Sequence, residues 1–310
     1  MEFPNSSDQK RYHSLFHYNK TVYGGRVYKA SLNAGCTCPN RDGSRGIGGC
    51  TFCQGGSHYF AGTGEIMAQL EAERQRIHRK NPAARLIAYF QAGTNTYGDI
   101  SQLEQSWNRV LDCPDVVGIS IATRCDCLGK PVLAALDRLN QRTRLTVELG
   151  LQTVHDDTAA RIRRGHSFSE FLTGYQALRQ RGIRICVHLI NGLPRETEEA
   201  MLESARVLGQ LRPDGVKLHL LHVTEGTALA EQWRRGDYIP MEKQSYIAVT
   251  AAQLRLLPPE TVIERLTGDG DRRLLLAPLW SQNKISVLGG IDHQLKAWDA
   301  VQGDQFQKTT

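Results

Sequence analysis

No run of 18 apolar residues occurs in this chain, which excludes a membrane-spanning helix of ordinary length. The N-terminal stretch, MEFPNSSDQKRYHSLFHYNK, holds no apolar core of the kind a secretory signal requires. No internal repeat and no low-complexity linker divides the sequence. Acid is missing altogether from residues 10–29. The expected location is cytoplasmic, where thiols stay reduced. The eight cysteines then read as metal ligands or catalysts rather than as disulfides.

What is present is an ordinary globular balance, with 40% hydrophobic and 23% charged residues. A length of 310 residues suffices for one large α/β domain or two smaller ones. The net charge of +6 mildly favours an anionic partner such as nucleic acid. The excess is concentrated where acid is missing. Lys10, Arg11, Lys20, Arg26 and Lys29 are interleaved there with Tyr12, Tyr18, Tyr23 and Tyr28. Cations bind phosphates, and tyrosine rings stack on unpaired bases. The alternative is a solvated basic arm whose tyrosines pack on the domain.

Short apolar runs predict strands over 27–33, 86–93, 116–124, 145–153, 183–194 and 215–223. Amphipathic stretches between them predict helices over 65–80, 100–112, 131–142, 168–182 and 197–211. Pro131 suits a first helical turn, Gly182 a helix stop and Thr197 an N-cap. Repeated βα units imply a parallel sheet. The expected fold is α/β, a partial (β/α)6 barrel with a C-terminal extension. The expected division is a basic, aromatic arm over 1–26, the partial barrel over 27–224 and an extension over 225–310 that closes it. Chemistry in such barrels sits at the C-terminal ends of the strands.

The first strand leads into CTCPNRDGSRGIGGCTFC at 36–53. Cys36, Cys38, Cys50 and Cys53 could form a closed structural zinc site. Three thiolates on a glycine-rich loop could instead hold an iron–sulfur cube with one iron left open for a small molecule.

The run CPNRDG followed by RGIGGCTFC resembles the radical S-adenosylmethionine superfamily. Within it the run is similar to the YhcC and YtqA group, related to the branch of the Elongator catalytic subunit. The likeness covers about residues 12–285. It implies a [4Fe-4S] cluster on Cys38, Cys50 and Cys53, with Cys36 a neighbour, and S-adenosyl-L-methionine at the open iron. Cys125 and Cys127 have no assigned role. By the same likeness, Gln91, Ala92, Gly93 and Thr94 at the second strand end meet the methionine amino group. Thr123 lines the pocket after strand three. Glu148 and Gln152, in ELGLQT, face the sugar and methionine. Arg164, in RGH, suits the cofactor carboxylate. Ile190 and Gly192, in HLINGLP, pack on adenine, with His188 where the first glycine often stands. Lys217, His219 and Asn95 are the candidates to face substrate.

The resemblance implies an enzyme that reductively cleaves S-adenosylmethionine to a 5′-deoxyadenosyl radical. A one-electron reductant such as flavodoxin or ferredoxin would serve it. The Elongator likeness points to tRNA and the C5 side chain of the wobble uridine, for example trimming carboxymethylaminomethyl to aminomethyl. No acetyltransferase region follows, so the Elongator reaction itself is not expected. Two alternatives are a radical enzyme on a small or porphyrin-like molecule and a non-catalytic zinc protein that binds RNA.

Overall fold

Each of the six apolar runs forms one strand: β1 (Val27–Leu32), β2 (Arg85–Phe90), β3 (Val116–Thr123), β4 (Leu145–Gln152), β5 (Arg184–Asn191) and β6 (Gly215–Leu220). The structure is a computed structural model that describes residues 6–55, 61–268 and 270–307. The six strands pair in parallel in chain order. Helices α2 (Ile66–His78), α3 (Ile100–Arg109), α4 (Lys130–Arg142), α6 (Phe168–Arg179) and α7 (Glu198–Leu211) fill the crossovers, with short α5 (Asp156–Arg161) after β4. The start signals hold. Pro131 lies in the first turn of α4, and the Thr197 hydroxyl accepts from the Ala200 amide at 3.2 Å. Gly182 takes φ 64° just past α6, a left-handed turn that costs glycine nothing.

The C-terminal stretch does more than cover the barrel. Its strand β8 (Val262–Arg265) pairs parallel with β6 and makes a seventh strand. A two-residue strand, β7 (Val223–Thr224), pairs antiparallel with β9 (Leu275–Ala277). Helices α8 (Ala228–Arg234), α9 (Lys243–Leu256) and α10 (Lys284–Ala297) complete this part. The N-terminal segment is drawn onto the same edge. Ser14 bridges to Ile263, and the Ile263 amide donates to His13 O at 2.8 Å. Helix α1 (Leu15–Tyr23) packs against both β8 and β1, the two outer strands of the sheet.

The two faces of the sheet differ. Leu32, Phe90, Ile121, Val147, Val187 and Leu218 are buried in the apolar core that carries the helices. The alternate positions face inward and are polar: Lys29, Tyr89, Ser120, Glu148, His188 and Lys217. Both faces carry buried side chains, Tyr89, Ser120, Glu148 and Lys217 on the inner one. The inner one is held together by charge.

Candidate functional site

That inner charge centres on Glu148, whose side chain has no exposed surface. Its carboxylate accepts from Lys29 Nζ at 2.5 Å, Ser120 Oγ at 2.6 Å, Tyr89 Oη at 2.9 Å and His188 Nε2 at 2.8 Å, and also from Lys217 Nζ. Lys29 continues to Glu264 at 2.8 Å, which pairs with Arg184 at 2.8 Å. Burial alone raises the carboxyl pKa. The Lys217 and Lys29 ammoniums outweigh it and hold Glu148 well below the carboxylate range. A buried carboxylate so saturated is ionised and fixed.

Above this layer, at the strand ends, the cysteine loop closes over a cavity of about 280 Å³. Cys36, Cys38, Cys50 and Cys53 all line it. Among the described residues no three His, Cys, Asp or Glu side chains converge on the point a single metal ion would occupy. The loop is braced from inside. Arg41 and Asp42 amides donate to Cys38 O, the Cys53 amide donates to Cys50 O, and Asn40 Nδ2 reaches both Arg163 O at 2.6 Å and Cys50 Sγ at 3.5 Å. Burial, then the neighbouring Cys53, pushes the Cys50 thiol up to about 11. Such a thiol ionises only against a bound cation or cluster.

Most cofactor-facing candidates line this same cavity: Gln91, Gly93, Thr94, Thr123, Glu148, Gln152 and Arg164. Two glycines set its shape. A Cβ on Gly93, at φ 77°, would stand 2.1 Å from Cys36 O. A Cβ on Gly150 would stand 2.5 Å from Gln152 Nε2, so the glycine of ELGLQT leaves room for the glutamine amide to fold back. Gln152 itself has φ 62°, and its Oε1 is buried with no hydrogen-bond partner among the described residues. A buried orphan acceptor in a cavity wall fits a ligand that donates to it. Together with the thiols, it makes the residues present fit a cluster with S-adenosylmethionine.

Other candidates fall elsewhere. Ala92 is fully buried behind the wall, and Ile190 packs in the small apolar cluster with Phe52. Gly192 lines a neighbouring cavity, and its carbonyl accepts from Tyr238 Oη at 2.8 Å. Asn95 is not among the residues that line this cavity, although its Oδ1 is buried with no hydrogen-bond partner among the described residues. It is fully buried, and its Nδ2 donates to Phe90 O at 3.0 Å and Ala122 O at 3.1 Å, tying two strand ends together. Lys217 is spent on Glu148 beneath the cavity. His219 stands 5.2 Å from the His188 ring, with its Nε2 buried and without a partner among the described residues.

Arg164 also departs from expectation. Its guanidinium donates to His166 O at 2.9 Å, to Leu151 O and Thr153 O at 2.6 Å each, and to Asp156 at 3.2 Å. Four of its five N–H groups brace the turn after β4, so it is no open fork for a carboxylate. Lys29 is likewise corrected from an outward cation to a barrel-interior one. The sequence reading missed Arg41, Tyr89 and the Lys29–Glu264–Arg184 chain. Charged residues spaced two apart in otherwise apolar strands were the available signal.

Residues 36–208 match the radical SAM superfamily, and 213–297 match the Radical_SAM C-terminal domain. The uncharacterized protein YtqA of Bacillus subtilis is 44% identical over 309 residues, covering 99% of this chain and 96% of the relative. Protein YhcC of Escherichia coli is 37% identical over 278 residues, 88% of each chain. A tRNA uridine(34) acetyltransferase of Dehalococcoides mccartyi is 33% identical over 156 residues, 49% of this chain and 33% of the relative. The solved structure of Elp3 from Methanocaldococcus infernus superposes with a TM-score of 0.68 at 19% identity, covering 89% of this chain and 64% of that one. That likeness shows the fold, a partial barrel of radical SAM type. The chain belongs to the radical SAM superfamily, in the group of YtqA and YhcC, which is related to the Elongator branch.

Proposed function

We propose that this radical SAM enzyme acts on tRNA, remaking the C5 side chain of a wobble uridine, with trimming of carboxymethylaminomethyl to aminomethyl as the specific reaction. The observation that carries the chemistry is one cavity shared by the thiols of Cys38, Cys50 and Cys53 and the orphan amide oxygen of Gln152. What supports the substrate is the relative named a tRNA uridine(34) acetyltransferase, similar over about half of this chain.

In this reading Cys38, Cys50 and Cys53 hold the cluster, and Cys36 stands beside it. When bound, the cluster and S-adenosylmethionine supply a 5′-deoxyadenosyl radical that takes a hydrogen atom from the substrate. The chain's own residues position and seal. Gln91 Oε1 accepts from the Ser31 hydroxyl at 3.0 Å, which leaves the Gln91 amide N–H groups for the cofactor. Thr94 donates its own amide to Thr37 O at 3.0 Å and so locks the second strand end onto the cysteine loop. Thr96 Oγ1 donates to Cys127 O, so the Thr123 hydroxyl donates to Thr96, and both stay fixed. Arg164 holds the β4 turn that carries Gln152, and the apolar and charged layers below keep water from the cavity floor.

The test is a comparison of modified nucleosides in tRNA from cells with and without the gene. Accumulation of carboxymethylaminomethyluridine with loss of aminomethyl-derived nucleosides is the expected result. Identical profiles remove the tRNA reading. Anaerobic purification reads the cofactor separately: brown protein with iron and sulfide is expected, and colourless protein with one zinc overturns the cluster.

A further inference from the structure

Four charged side chains line the thiol cavity: Arg41, Arg124, Glu148 and Arg164. Three of them are balanced. Arg124 grips Asp126 through Nε at 2.9 Å and Nη2 at 2.8 Å, and Asp126 is shared with Arg45, which Glu170 balances in turn. Arg164 meets Asp156 at 3.2 Å, and Glu148 holds Lys29 and Lys217. His166 and His188 also line the cavity, and burial keeps both rings neutral. Arg41 differs. Among the described residues its guanidinium meets no carboxylate, and its one hydrogen bond runs from Nη1 to Cys53 O at 3.1 Å. Four of its five N–H groups have no partner there.

This arginine is seated rather than loose. Its side chain is half-buried and lies across Gly49, where a Cβ would stand 3.0 Å from Arg41 Cγ and 3.2 Å from Nη1. Gly49 takes φ 86°, in the region that favours glycine. The guanidinium is thereby held between the residue before Cys50 and the carbonyl of Cys53. The adjacent acid, Asp42, does not line the cavity. Its carboxylate is exposed, accepts from the Ser44 amide at 3.0 Å and is screened by water.

A cube held by three thiolates carries net negative charge, and one added electron makes it more negative. Ion pairs in the wall offset little of that charge, because each carries its own acid. Arg41 carries none. Net charge and hydrogen bonds around such a cluster set its reduction potential.

We infer that Arg41 is the counter-charge of the cluster, and that it eases the cluster's reduction by one electron from a flavodoxin- or ferredoxin-type donor. The inference rests on the cluster reading above and deepens it. A guanidinium serves at any working pH, because it never loses its proton.

The test is a redox titration of the reconstituted full chain without S-adenosylmethionine, with dithionite and mediator dyes, followed by electron paramagnetic resonance. Arg41→Gln should disfavour reduction about tenfold, a shift of about 59 mV to lower potential for one electron. Arg41→Lys keeps the charge and should titrate with the parent. Asp42→Asn removes the exposed charge next door and should do the same. Iron and sulfide should be equal in the parent and all variants. A parent-like potential in Arg41→Gln at full iron overturns the inference. Weaker S-adenosylmethionine binding at that unchanged potential, read by calorimetric titration, gives Arg41 to the cofactor carboxylate and overturns it equally. An equal shift in Arg41→Lys places the effect in the fork rather than the charge, which also overturns it. Loss of iron from Arg41→Gln with retention in Arg41→Lys means that the thiolates need the charge to hold a cluster at all, and supports it. Loss from both makes Arg41 a brace of the Cys53 carbonyl and overturns it. A parent without iron or sulfide fails the cluster reading itself, and the inference falls with it.

Discussion

His188 Nε2 lies 2.8 Å from Glu148 Oε2, at the boundary between the charged interior and the thiol-lined cavity. An ionised carboxylate only accepts, so Nε2 carries the proton and Nδ1 keeps its lone pair. Burial, then Lys217, lowers the His188 pKa and keeps the ring neutral.

The first prediction follows from that tautomer. Ring nitrogen NMR at pH 7 should show His188 neutral with the proton on Nε2. A protonated Nδ1 would mean that the cavity receives a donor rather than an acceptor from this side chain. His188→Gln retains an N–H for Glu148 but loses the lone pair. Its fold should therefore survive while any ligand donor to Nδ1 is lost.

Buried histidines also set the acid response. His166 is pushed down to about 4 by burial and the adjacent Arg164, and His219 well below its usual value by burial and His188. Their folded pKa values are depressed, so the unfolded chain binds protons first as pH falls through 6.5. Stability is then fully present above about pH 6.5 and is lost progressively below it. Denaturant titrations from pH 7 to pH 5 should show the loss. His166→Gln should flatten the slope by about 1.4 kcal/mol per pH unit, the value for one proton. A parallel slope in the variant would mean that His166 is charged in the folded protein.

Glu148 is the counter-charge of the barrel interior. Glu148→Gln leaves Lys29 partly and Lys217 wholly uncompensated, and should cost about 3–5 kcal/mol of folding free energy. Lys217→Met in the same chain should recover part of it, because the orphaned ammonium is gone. Chemical denaturation measures both. Additive losses in the pair would sever the link between the two residues.

Much of this architecture was legible beforehand. Six strands and the thiol loop stood out because apolar runs and cysteine spacing are local signals. The seventh strand did not, because VIER at 262–265 is four residues with two charges. Its strand character comes from pairing with β6. Glu148 stood out within ELGLQT, yet its partners come from five other strand positions, and only the barrel brings them together. Arg164 misled for a related reason. A guanidinium beside a cofactor motif suits a carboxylate, but the turn after β4 exposes two carbonyls that claim it first.

The thiols divide sharply. Cys38→Ala, Cys50→Ala and Cys53→Ala should each lose iron on anaerobic reconstitution, while Cys36→Ala should keep it. Three thiolates leave one iron open, which is what a bound small molecule needs. Iron and sulfide analysis decides it. Loss of iron in Cys36→Ala with retention in Cys38→Ala would shift the ligand set by one cysteine.

The strand end ELGLQT offers the sharpest separation of fold from binding. Gly150 is needed only because the Gln152 amide folds back within 2.5 Å of where a Cβ would stand. Gln152 is flexible, so Gly150→Ala displaces the amide and leaves the strand in place. Stability should change by less than about 1 kcal/mol, the usual range for a substitution absorbed by one side chain. Affinity for S-adenosylmethionine should fall by roughly 1–2 kcal/mol, the scale of one lost hydrogen bond with its partner left buried. Gln152→Ala should cost about the same, since it removes the same contact. The double variant should then cost no more than either single one, because two ways of deleting one interaction do not add. Calorimetric titration of the reconstituted protein gives all three values. A double variant that loses the sum of the two would mean that Gly150 acts on the cofactor by a route of its own, and Gln152 would leave the site.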